Sequence, residues 1–140
     1  MVHALYEAHR VLKPKGVLID LRPAAAHRRV GIGKGRHWQF VAVLREPLND
    51  DWAANRAVAK VVRDGLFIRK RHTEFSLDRT LDTSDEFRTW LDDFVQRQNL
   101  PSQEWLIKRV EREQRRQGTT GIITVRGPLL LSKLQKVEIA

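Results

Sequence analysis

The chain has 140 residues, with 26 Lys and Arg against 17 Asp and Glu, a formal net charge of +9 and no cysteine. That length suggests one domain able to bury a core without covalent staples. The lack of cysteine excludes disulfides, thiolate metal sites and cysteine nucleophiles, and suits a cytoplasmic setting.

Residues 2–12 read as a helix with Val2, Leu5, Tyr6, His9 and Leu12 on one stripe, ended by Pro14 and Gly16. The run GVLIDL at 16–21 is a short apolar stretch holding one acid, which suits a strand covered on both faces. Residues 24–37 are small, basic and glycine-rich and read as a loop or hairpin arm. HWQFVAVL, 37–44, alternates as a strand, with Trp38, Phe40, Ala42 and Leu44 on one face. A helix over 51–64 follows, capped by Asn49 or Asp50, with Ala54, Val58, Val61 and Val62 inward and Gly65 at its end. LFIRKRHTEFSL, 66–77, reads as a strand whose charged middle belongs at an edge or on a solvent-facing surface. Thr83 and Glu86 have capping-box spacing, and Phe87, Trp90, Leu91, Phe94 and Val95 recur at helical intervals. Pro101 and Ser102 open a last helix to about 116, with Trp105, Leu106 and Val110 inward. IITVRGPLLLSKLQKV closes the chain as strand, Gly-Pro break, strand. Helices and strands are interleaved, so the expected fold is α/β or α+β, a small mixed sheet with helices on its faces.

Gly31, Gly33 and Gly35 spell G-x-G-x-G, a pattern found in nucleotide and cofactor loops. Such a loop needs an apolar strand before it and a helix after it. Here AAAHRRV precedes and RHWQFVAVL follows, so the stretch reads as a turn between extended arms. Arg28, Arg29, Lys34 and Arg36 surround the glycines, with Trp38 and Phe40 close by. Cations, glycines and aromatics together can hold phosphates or stacked bases; the alternative is a solvated loop beside core aromatics.

ALYEAHRVLKPKGVLIDLRP, 4–23, resembles the late core of class I S-adenosylmethionine-dependent methyltransferases, where a helix ending in a segment like R-V-L-K-P-G-G passes into the fifth strand. Arg10 to Pro14 match, Lys15 stands in place of the first glycine, and Gly16 matches the second. DTSDEFRTWLDDF resembles the helix after the sixth strand of that family, and LLLSKLQKV its last strand. The resemblance implies a sheet equivalent to the later strands of a Rossmann-like methyltransferase. It implies S-adenosylmethionine as cofactor only where the half of the fold that binds it is supplied, so the chain alone is expected to be inactive. It also places the loop after the fifth strand, with Arg22 and His27, beside the substrate region.

The family sets its fifth strand next to a fourth that these residues do not include, so an open sheet edge is expected, covered by self-association or a partner chain. Two other functional classes stand beside the methyltransferase one. One is a basic module binding nucleic acid or another polyanion through 27–37; the other is a subunit completing a partner's fold. His3, His9, His27, His37 and His72 form no metal-binding spacing, and no nucleophile elbow is present. His72 shares parity with Glu74 and is expected to pair with it on the surface. Asp92 and Asp93 lie on the polar side of their helix. No apolar run approaches the roughly 18 residues of a membrane span, and no signal-peptide block opens the sequence.

Overall fold

The computed structural model describes residues 1–118 and 121–138. In chain order the elements are α1 (Val2–Val11), β1 (Val17–Pro23), β2 (Arg29–Ile32), β3 (Gln39–Val43), α2 (Asn49–Arg63), β4 (Phe67–Leu81), α3 (Ser84–Arg97), α4 (Glu104–Gln117) and β5 (Ile123–Lys136). The fold is α/β, as the interleaved pattern implies. The sheet runs β1-β5-β2-β3, with β4 also paired to β5. The chain divides into two compact units: Met1–Ala26, Pro47–Ser76 and Pro128–Ala140 form the first, His27–Glu46 and Leu77–Gly127 the second.

In the first unit, β1 pairs antiparallel with β5 from Val17↔Gln135 to Pro23↔Leu129. Helices α1 and α2 pack on one another, and Leu5, Ala57, Val58, Val61, Phe67 and Leu134 make the core, with Leu18 against it. The helix-to-strand turn explains its own sequence. Pro14 cannot extend α1, Lys15 adopts a left-handed φ of 61°, and a side chain on Gly16 would meet the Lys13 carbonyl and the Leu12 side chain. Both positions after the proline therefore favour glycine, and only one has it.

In the second unit, β2 pairs antiparallel with β3 and with the start of β5. Val30, Ile32, Ala42, Leu44, Ile123 and Val125 meet Phe87, Leu91, Phe94, Leu106, Ile107 and Val110 of α3 and α4. Thr83 caps α3, its Oγ1 accepting from the Glu86 N–H at 3.1 Å, while the Glu86 carboxylate accepts at 2.9 Å from the N–H of Asp82, one residue before the cap. Gly118 ends α4 in the left-handed region.

Several local expectations are corrected. The Gly-Pro break is absent, because β5 is continuous from Ile123 to Lys136. Its register with β2 ends at Arg126 and that with β1 begins at Leu129, so Pro128 falls where neither strand needs its missing N–H. The N-cap of α2 is Leu48, without a side-chain bond, and not Asn49 or Asp50. Trp105 is exposed, with the Arg45 guanidinium 5.4 Å from its ring, while Leu106 and Ile107 point inward. β4 extends to Leu81 and pairs with β5 alone, exposed from Ile68 to Thr80, in keeping with its charged middle. His72 Nδ1 lies 2.9 Å from the Ser132 hydroxyl, so its partner is across the sheet and is not Glu74.

Candidate functional site

The six residues singled out from the sequence do not form one site. Arg22 belongs to the first unit. Its Nε donates to both carboxylate oxygens of Asp20, at 2.9 and 3.2 Å, and its Nη1 donates to Asn55 of α2. Asp20 and Arg22 are two apart on one strand and so share a face. Both side chains are about nine-tenths buried, and the pair closes on itself. Arg22 is thus a structural tie between β1 and α2.

His27, Arg28, Arg29, Lys34 and Arg36 lie in the second unit, but they divide by task. His27 Nδ1 accepts from the Glu46 N–H at 3.3 Å. Arg28 donates to the Glu46 carboxylate at 2.8 Å, and its guanidinium stands 4.9 Å from the Phe94 ring centre. These two residues tie the start of β2 to the segment after β3. Arg36 is exposed on the 3₁₀ turn Gly35–His37 that joins β2 to β3, and Lys34, just before it, is exposed too.

Arg29 is different. It is exposed, makes no ion pair among the described residues, and lies 5.4 Å from the Trp38 ring centre. Its cross-strand partner is Arg126, whose guanidinium is 4.2 Å from the same indole. Two cations thus stand opposite one another on adjacent strands, a pairing that is unfavourable without a counter-charge. Asp78 lies 3.6 Å from Arg126 Nε, which is buried and has no hydrogen bond, while Arg126 Nη2 donates to the Gly35 carbonyl.

The glycines now have their reason. Gly31 has no space for a side chain, because Trp38 and the Gln39 carbonyl occupy it. The Trp38 indole N–H is fixed to the Thr124 carbonyl at 3.0 Å. Gly33, at φ +94°, lies against the His37 carbonyl as the chain reverses. The G-x-G-x-G stretch builds a hairpin and seats an indole. It runs between two strands and opens no helix, so it lacks the geometry of a cofactor loop.

A bulge decides which way the aromatics face. Val30 pairs with Ala42 and Gly31 with Phe40, so two residues of β3 oppose one of β2 and Val41 is the extra residue. The strict alternation expected over 38–44 is corrected here. Ala42 and Leu44 enter the core, whereas Phe40 is 55% exposed, its ring 6.2 Å from that of Trp38.

Compared with known proteins, the chain matches no family model, no curated protein and no solved structure.

Two grooves in the second unit, of about 460 and 620 Å³, contain none of the six candidates; Trp90, Arg79 and Asp93 line the larger. Among the described residues, no group of three or more His, Asp or Glu is placed to hold a metal ion, and no helix is long and apolar enough to cross a membrane. Sequence reasoning missed Arg126, which lies 97 positions from Arg29 and is joined to it only by strand register. The same-face pairing of Asp20 with Arg22, by contrast, could have been read from their i, i+2 spacing.

Proposed function

We propose that this chain is the C-terminal, substrate-side part of an S-adenosylmethionine-dependent methyltransferase fold, and that it transfers no methyl group by itself. The observation that carries this reading is the bare face of β1. Helices α1 and α2 cover the side bearing Leu18 and Leu134. On the other side Val17, Ile19 and Leu21 are 40–59% exposed, with Leu131 of β5 also exposed opposite Leu21. β1 also stands at the end of the strand order, paired with β5 alone. A strand whose outer face is apolar and half exposed, placed at an open edge, fits a larger sheet covered on both sides. Covering each such side chain would contribute up to about 1.5–3 kcal/mol.

The Lys13-Pro14-Lys15-Gly16 turn supports the same reading. Lys15 holds a left-handed conformation at the position where the family pattern has glycine. The complement that pairs with β1 would supply the cofactor loop; until then the apolar face favours self-association. Two measurements test this. Calorimetric titration with S-adenosylhomocysteine is expected to give no heat for the chain alone. Light scattering is expected to show association that Ile19→Lys abolishes. Methyl transfer by a well-behaved monomer would refute the proposal.

A further inference from the structure

We infer that the outer face of the β2-β3-β5 sheet in the second unit is a binding platform for single-stranded nucleic acid, with Arg29 and Arg126 on the phosphates and Phe40 stacking a base. This rests on the second unit alone and stands or falls separately from the methyltransferase proposal.

The register sorts the two faces of this sheet. Val30 opposite Val125 and Ile32 opposite Ile123 point to the helices and are buried. The alternate positions, Arg29 opposite Arg126 and Gly31 opposite Thr124, carry the other face. Trp38 lies over Gly31, its indole N–H tied to the Thr124 carbonyl, so its position is set by the backbone. Both guanidiniums rest over that indole. Phe40 stands beside it, turned outward by the bulge at Val41. Lys34 and Arg36 project from the adjoining turn, whose Gly35 carbonyl is held by Arg126.

Each feature fits one ligand class. Among the described residues the two opposed arginines have a single ion pair, Arg126 with Asp78 at 3.6 Å, which leaves positive charge that polyanions complement. An exposed aromatic ring beside such cations offers a π-face to a base, which a lipid headgroup or an acidic peptide does not use. A duplex keeps its bases stacked internally and cannot present one to Phe40. Exposed bulges re-aim side chains at binding sites, and this one exposes an aromatic residue that regular alternation would send into the core.

The test uses the full chain and a fluorescein-labelled 12-nucleotide oligo(U), followed by anisotropy from 50 to 300 mM salt. Micromolar binding to the single strand is expected, tighter than to a 12-base-pair duplex. Phe40→Ala and Phe40→Leu are both expected to weaken it roughly tenfold. Arg29→Gln, at an exposed position, is expected to lower the slope of log affinity against log salt by about 0.7, as loss of one single-strand phosphate contact requires. Arg126→Gln should lower it by about the same amount. No binding at 50 mM salt overturns the proposal. So does binding unaffected by the Phe40 changes, or equal affinity for the duplex, for inorganic polyphosphate or for phosphatidylserine vesicles; each would mark a surface that reads charge alone. An unchanged salt slope in Arg29→Gln would also overturn it.

Discussion

β1 and β2 both pair antiparallel with β5, and they distribute their residues in opposite ways. In β2 the apolar residues Val30 and Ile32 are buried and Arg29 is exposed. In β1 the apolar residues Val17, Ile19 and Leu21 are exposed, while the charged Asp20 and Arg22 are turned in and bonded to each other and to α2. β2 has the pattern of a finished half-solvated strand. β1 has the pattern of a strand awaiting cover, because its outer, apolar face is left 40–59% exposed among the described residues. The same contrast separates the arginines: Arg22 is held by a carboxylate and an amide, whereas Arg29 faces another arginine across the strands.

Mutations should separate the two strands sharply. Val30→Asp places an unpaired charge in a fully buried position and is expected to unfold the second unit. Ile19→Asp should leave monomer stability in urea within about 0.5 kcal/mol while removing association. Equal loss in both variants would mean that β1 is as enclosed as β2. The arginines should differ next. Asp20→Ala strands the buried Arg22 and is expected to cost about 3 kcal/mol, whereas Arg29→Gln removes a like-charge contact and should be neutral or slightly stabilising. Lys15→Gly relieves a left-handed non-glycine residue and is expected to raise stability by up to about 1 kcal/mol, read as a higher urea midpoint at constant slope.

The smallest effect concerns pH. Hydrogen bonds from Arg116 and Gln117, with the charge of Arg116, hold the Glu113 carboxyl down at about 2. Its folded-state value is depressed, so its contribution to α4 is present above the unfolded value near 4.5 and is lost as pH falls from there through about 2. NMR titration of Glu113 should show the low midpoint, and Arg116→Ala should return it towards 4.5.

Much of the fold was legible because its signals are local. The helical spacing of Phe87, Leu91 and Phe94, the Thr83 cap and the end of α2 at Gly65 each depend on residues within a few positions of one another. Glycine context was legible in part: the neighbours of Gly31–Gly35 indicated a turn, which Gly33 to His37 form, whereas Gly31 lies within β2. The candidate site was legible only in composition. The basic cluster at 28–36 was visible, but its division was not. His27 and Arg28 are taken up by Glu46, and Arg22 by Asp20; Arg29 instead faces an arginine from the far end of the chain, beside the exposed Lys34 and Arg36.

The sequence by itself determined the α/β class, the helices, the Thr83 cap of α3, the hairpin character of the glycine stretch and the basic balance of the surface. Propensity, capping and periodicity act over a single turn or strand, and that is enough for these features. Tertiary structure alone decided that β5 stays continuous through Gly127 and Pro128, that a bulge at Val41 turns Phe40 outward, and that Arg29 meets Arg126 over Trp38. Each depends on which strand lies alongside and in what register, and register links residues whose separation along the chain carries no signal of their contact.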